Sequence, residues 1–218
     1  VTETPVRAPG FVIARLPDGL VPSGDIDTWR AKATRLDTFY FKLKKARNKT
    51  ELYLACDNRN LYLGYRCFVG DLSAVNTKRA SHDSFGVFAR DSVEFLLDPV
   101  GDGVFYQFAV DAGGTRTDIG KGGDVAWNPN WDATVKLNEK TKSVDYEITV
   151  PFSTLAGPAM GSRWLVNLCR NDGLAKEQVS IARTPNLGFK QTAYWPVAEL
   201  PEEVVADYSV GASSGAYS

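Results

Sequence analysis

The feature that most narrows the fold is a period-two alternation of apolar side chains, repeated in short runs. Val93, Phe95 and Leu97 alternate with Ser92 and Glu94, and Trp164, Val166 and Leu168 alternate with Asn167 and Cys169. Successive side chains of a strand point to opposite faces, so this pattern suits antiparallel strands with one face on a core. Similar aromatic and β-branched runs predict strands at Phe11 to Leu16, Thr38 to Leu43, Glu51 to Cys56, Asn60 to Val69, Asp91 to Leu97 and Val104 to Asp111. Others follow at Trp131 to Leu137, Ser143 to Val150, Arg163 to Cys169 and Gln178 to Ala182. Between them, Asp57-Asn58-Arg59-Asn60 reads as a hairpin turn, and residues 98–103 and 138–142 as longer ones. Many short strands with almost no amphipathic helix predict an all-β fold. The expected form is an antiparallel β-sandwich, a jelly-roll or immunoglobulin-like two-sheet module. One short helix is expected at Asp25 to Lys32, capped by Asp25 or Asp27.

The 218 residues suit one domain. Residues 1–208 are read as the sandwich, and the Ser/Gly/Ala-rich residues 209–218 as a linker or tail joining it to a larger parent. Val1 follows no initiator Met, which suggests a processed chain whose targeting segment is gone. With 25 basic and 26 acidic residues, no field of one sign favours nucleic acid or an anionic membrane. No apolar run is long enough to cross a bilayer. Cys56, Cys67 and Cys169 allow at most one disulfide and match no zinc spacing, so they read as small buried hydrophobes. A single His82 and a single Met160 remove most chemistry that needs a histidine base or a histidine-rich metal centre. The longest segment without strand pattern runs from Gly70 to Arg90, and a second from Thr184 to Trp195. Long ordered loops on a rigid scaffold are where binding tends to reside. Trp127 follows a Gly- and Asp-rich stretch and reads as a loop aromatic, whereas Trp29, Trp131 and Trp164 read as packing residues and Tyr62 and Tyr65 as half-buried.

Several motifs occur in one order over residues 11 to 200. They are Gly24-Asp25-Ile26-Asp27-Thr28-Trp29 with Ala31, Cys56-Asp57-Asn58-Arg59-Asn60-Leu61-Tyr62-Leu63, and Asp91-Ser92-Val93-Glu94-Phe95-Leu96-Leu97-Asp98-Pro99. Tyr106-Gln107-Phe108-Ala109-Val110-Asp111, Trp131 to Val135, Tyr146 to Pro151 with Phe152 and Leu155, and Trp164 to Arg170 complete the series. In this order they resemble the family 9 carbohydrate-binding modules, within the wider DOMON-like group. The resemblance implies a β-sandwich that grips glucan or xylan chains between aromatic rings, with structural calcium nearby.

A pyranose has apolar C–H faces and a rim of hydroxyls, so flat rings cover its faces while carboxylates and amides bond its rim. The resemblance places Phe88 where the family has a clamp Trp, and Glu94, Gln107 and Asp111 at the polar rim. Ala109 stands where the family has an Arg. The opposite wall is expected from Phe189, Tyr194 or Trp195, with Trp195 favoured on ring area, and Trp127 is a further candidate. Glu94 has a structural alternative, an ion pair with Arg90 or Arg116. For calcium, Asp57, Asp71, Asp83, Asp91 and carbonyls around Ser92 are the expected oxygen ligands. The whole implies a non-catalytic, secreted, cell-surface or periplasmic module that targets a linked glycan-active enzyme. Three other classes stand beside it. One is a glycosidase using Glu94 and Asp111 as paired carboxylates. Another is a haem-binding domain with His82 and Met160 as axial ligands. The third is a structural or adhesive domain that has lost its sugar site, favoured by Phe88 and by the missing Arg.

Overall fold

A computed structural model describes residues 4–155 and 160–213. In chain order its strands are β1 (Phe11–Val12), β2 (Ala14–Arg15), β3 (Thr34–Leu36), β4 (Tyr40–Phe41), β5 (Lys44–Lys45), β6 (Thr50–Cys56), β7 (Asn60–Phe68) and β8 (Ser92–Asp98). They continue with β9 (Tyr106–Asp111), β10 (Arg116–Ile119), β11 (Asp132–Asn138), β12 (Ser143–Pro151), β13 (Arg163–Asp172), β14 (Glu177–Ser180) and β15 (Val197–Glu199). Two sheets result. The larger runs β10-β9-β8-β13-β14-β4-β5, with β15 on β13 and β1 on β15. The smaller runs β11-β12-β7-β6-β2, with β3 also on β6. The all-β sandwich read from the alternation is the fold observed.

The alternation places the core. Val93, Phe95 and Leu97 of β8, Phe108 and Val110 of β9, and Trp164, Val166 and Leu168 of β13 meet Leu52, Leu54, Leu63, Tyr65, Tyr146 and Ile148 of the smaller sheet in one apolar cluster. Phe95 and Phe108 stack with centroids 4.8 Å apart, and Trp131 closes on both edge-on. Two tyrosines span the sandwich as donors. Tyr65 Oη bonds the Glu94 carbonyl at 3.2 Å, and Tyr146 Oη bonds the Asp91 carbonyl at 3.3 Å. Tyr62 and Tyr65 are therefore fully buried, not half-buried, because both faces of the smaller sheet are covered.

The covering of the smaller sheet's outer face comes from residues 16–33. The helix expected at Asp25 to Lys32 is instead two 3-10 turns, Ile26–Thr28 and Arg30–Lys32, the first capped by Asp25. Ile26 and Trp29 pack with Leu16, Tyr53, Ala55 and Tyr62. Trp29 Nε1 donates to Glu147 at 2.8 Å, and Arg66 reaches both Asp145 and Asp27 from a buried position. The longest helix, α2 (Glu202–Ser213), follows a four-residue turn, α1 (Phe152–Leu155). α2 seats Val204 and Tyr208 in the main core. Residues 209–213 of the expected tail thus complete a packed helix, and 214–218 lie outside the described residues.

The three cysteines are free and buried. Burial pushes the Cys56 and Cys67 thiols up to about 12. Among the described residues no helix is long and apolar enough to cross a membrane.

Gly64 on β7 shows how tightly the covering segment sits. A Cβ there would lie 2.8 Å from Ile26 Cγ2 and 2.9 Å from Trp29 Cζ2. Gly64→Ala is expected to cost about 1–3 kcal/mol by overpacking, read as a lowered urea midpoint with an unchanged m-value.

Candidate functional site

The outer face of the larger sheet differs from its core face by one residue of register. Cross-strand pairing sets Asp111, Ser92, Asn171 and Gln178 in one row, Ala109, Glu94, Cys169 and Ser180 in the next, and Ile119, Gln107, Leu96 and Asn167 in a third. Glu94 lies at the centre and is buried, 3% exposed. Its two oxygens are both engaged: Gln107 Nε2 donates at 2.8 Å and Asn171 Nδ2 at 2.6 Å. Asn171 Nδ2 also reaches Ser92 Oγ at 3.0 Å, and Gln178 Nε2 donates to Asn171 Oδ1 at 3.3 Å. Glu94 thus holds two side-chain amides in place and has neither oxygen free, and the expected pairing with Arg90 or Arg116 does not form. Arg90 pairs with Asp111, and Arg116 with Asp132.

A cleft opens at each end of this network. One, of about 250 Å³, is lined by Gln107, Phe105, Val104, Ile119, Lys190 and the glycines 103, 120, 122 and 123. Gln107 Oε1 is closed off from solvent and has no hydrogen-bond partner among the described residues, an unmet acceptor that carries a desolvation cost. The other, also about 250 Å³, is lined by Phe88, Arg90, Asn171, Gln178, Lys176 and Glu177, among others. Phe88 is half-buried and tilts against the exposed Phe85 with ring centroids 5.9 Å apart. Together the clefts and the network supply amide donors and acceptors, an apolar ring at either end and a cationic side chain at each rim.

Several expected contacts are spent on structure. Trp195 is fully buried, and its Nε1 donates to the Phe189 carbonyl at 2.8 Å. With Phe189, Ala182, Leu96 and Cys169 it forms a small apolar cluster that covers part of the outer face. Tyr194 and Phe105 pack on that cluster. The loop 184–195 is therefore a cover on the sheet, and Trp195 offers no ring to a ligand. Asp111 Oδ1 accepts from Gly113 N and Thr115 N, and its Oδ2 pairs with Arg90, which fixes the β9–β10 turn. It is not available to a sugar, nor to pair with Glu94 as a catalytic carboxylate. Trp127 stacks on Tyr106 at 4.7 Å and meets Phe108 edge-on, so it lies on the core side of β9, away from Gln107. Met160 is buried in the main core while the His82 ring nitrogens face Asp83 and Asp118, so the axial pair required for haem is not assembled.

The calcium expectation meets a geometric obstacle. Asp57 accepts from Arg59 N, Asn60 N and Tyr62 Oη in the β6–β7 turn, and Asp71 caps a turn beyond the far end of β7. Nine residues of strand separate those turns, about 30 Å. Asp91 accepts from Gly173 N. Asp83 alone of the four enters a cluster of three donor groups, with His82 and Asp118. Calcium takes six to eight oxygens, and one imidazole with two carboxylates does not fit it.

No protein-family model and no curated protein matches the chain. Solved structures do. A candidate carbohydrate-binding protein from Bacteroides uniformis aligns with a TM-score of 0.69 at 14% identity, covering 89% of this chain and all of the other. A family 9 carbohydrate-binding module from Caldicellulosiruptor kristjanssonii, in complex with cellotriose, aligns with a TM-score of 0.61 at 13% identity over 87% of this chain and 93% of that one. The same organism's family 9 module in complex with glucose gives 0.64 at 14% identity, over 88% and 95%. The chain shares the fold of the family 9 modules.

Asn171, Gln178, Lys190 and Phe105 were not among the residues expected from sequence. The expected strand ended at Cys169, yet two more residues of the same alternation carry Asn171 to the face of Glu94.

Burial raises the Glu94 carboxyl above its ordinary value, and the Asn171 and Gln107 hydrogen bonds offset part of that rise. A raised acid binds its proton more readily in the folded state, so its ionisation costs stability as pH climbs through the folded value. The Tm of Glu94→Gln relative to wild type is therefore expected to be highest near about pH 8 and to fall towards about pH 4, measured by thermal scans across that range.

Proposed function

We propose that this domain binds carbohydrate in the clefts that flank the Glu94 network on the outer face of the larger sheet, one lined by Phe88 and the other by Gln107 and Lys190, without catalysing a reaction on it. The observation that carries the reading is Gln107: an amide held in place by Glu94 and lining a cleft with Phe105 and Lys190. Asn171 and Gln178 offer the same chemistry at the second cleft. The fold shared with modules solved in complex with cellotriose and glucose supports the ligand class. In this reading a linked glycan-active enzyme, outside the cytoplasm, gains effective concentration at its polymer.

Affinity-gel electrophoresis and a glycan array of the purified domain test it. Binding in the millimolar to micromolar range, about −4 to −8 kcal/mol, is expected for a β-glucan or xylan. Gln107→Ala is expected to weaken it by roughly tenfold or more, the loss of one buried hydrogen bond and the orphaning of its partner. Phe88→Ala is expected to weaken it as well, whereas Trp195→Ala should first lower stability, by about 3–5 kcal/mol through the cavity it leaves. The burial of Trp195 favours a second reading, a structural or adhesive domain that has lost the aromatic clamp. A folded protein that binds no glycan would establish that reading and sink the first.

A further inference from the structure

The loop between β7 and β8 carries the chain's single histidine back against β10. Asp83 N donates to the Arg116 carbonyl at 3.0 Å, and Thr117 Oγ1 donates to the Ser84 carbonyl at 3.1 Å. This docking sets the His82 ring between two carboxylates. Its Nδ1 lies 2.9 Å from Asp83 Oδ2, and its Nε2 lies 3.4 Å from Asp118 Oδ1.

Asp118 is the unusual member. Its side chain is fully buried. Oδ1 accepts from Trp131 Nε1 at 2.9 Å, and Oδ2 has no hydrogen-bond partner among the described residues. The oxygen that faces His82 is Oδ1, so the buried carboxylate meets the imidazole through the atom that Trp131 also bonds, and the idle Oδ2 leaves its charge under-compensated unless a cation stands nearby. Donor atoms of His82, Asp83 and Asp118 all fall within 4.8 Å of one another.

We propose that His82 Nε2 and the Asp118 carboxylate bind a divalent transition-metal ion of the zinc class, with Asp83 accepting a hydrogen bond from His82 Nδ1–H. Zinc bonds nitrogen and carboxylate oxygen at about 2.0–2.2 Å, which at a tetrahedral angle sets two ligand atoms about 3.4 Å apart. That is the separation of Nε2 and Oδ1 here. A metal-bound histidine commonly gives its other N–H to a carboxylate, which fixes tautomer and ring orientation. Asp83 stands in that place, and water completes the coordination. An imidazole ligand selects zinc, cobalt or nickel over calcium. The ion would fasten the segment that leads into Phe88 onto β10, so its effect extends to one wall of the proposed glycan face. The site itself does not depend on that face binding sugar.

Isothermal titration of the chelator-stripped chain with ZnCl2 tests the assignment, beside His82→Ala and Asp118→Asn, with folding followed by circular dichroism. The expected result is one equivalent of zinc bound by wild type, weakened about tenfold or more in each variant and not displaced by a roughly hundredfold excess of CaCl2. His82 is partly exposed, so its removal leaves the fold intact and decides the matter even if Asp118→Asn unfolds. No zinc bound by wild type, equal affinity in His82→Ala, or displacement by calcium would each overturn it.

Discussion

Strand β8 is buried on both faces along its whole length, and the rest of the structure follows from how that double burial is met. One face is apolar and builds the sandwich core through Val93, Phe95 and Leu97. The other has to bury Ser92, Glu94 and Asp98, and polar groups out of water need partners. Asp98 finds them in the backbone N–H groups of Val100, Gly101 and Gly103, which fixes the β8–β9 turn. Glu94 finds them in the side-chain amides of neighbouring strands. The requirement that stabilises the centre of the sheet is the same one that arrays amides across its outer face.

That arrangement makes the amide network of the candidate site a property of the sheet, while loop residues line most of the clefts beside it. Gln107 and Asn171 are fixed by strand register and by a shared carboxylate, so their positions are set before any ligand arrives. Such preorganisation reduces the ordering cost of binding. The loop 184–195 contributes differently. It closes the Leu96–Cys169 part of the face with Phe189 and Trp195, leaving openings on either side.

The fold was legible because period-two alternation is strong in β6, β7, β8, β12 and β13. The strands that sequence reading missed, β3, β5, β10 and β15, are two to four residues long, and segments such as Arg116-Thr117-Asp118-Ile119 carry polar residues whose partners lie elsewhere in the chain. Of the expected residues, Glu94 and Gln107 lie on one face and are hydrogen-bonded, while Phe88 lines a separate cleft near the edge of the same sheet. Trp195 was favoured for its ring area, but that same area is what burial rewards most. Asp111 was read as a rim residue, but the Ala112-Gly113-Gly114 that follows it is a turn signal, and the structure spends its Oδ1 on the Gly113 and Thr115 N–H groups. Trp127 folds back onto Tyr106 because Gly120 leaves room: a Cβ there would stand 2.8 Å from the Trp127 Cβ. Such spacing is a tertiary fact with no local sequence signature.

The three unbridged cysteines sit in both sheets, Cys56 and Cys67 on β6 and β7 and Cys169 on β13. Buried thiols held so far above neutral pH are inert towards disulfide-forming and alkylating reagents. In the folded chain these thiols are accordingly shielded from oxidants, and each becomes reactive when its own layer opens. Alkylation at the separate positions thus works as a clock on conformational opening, able to tell whether the two layers part as one unit or in succession.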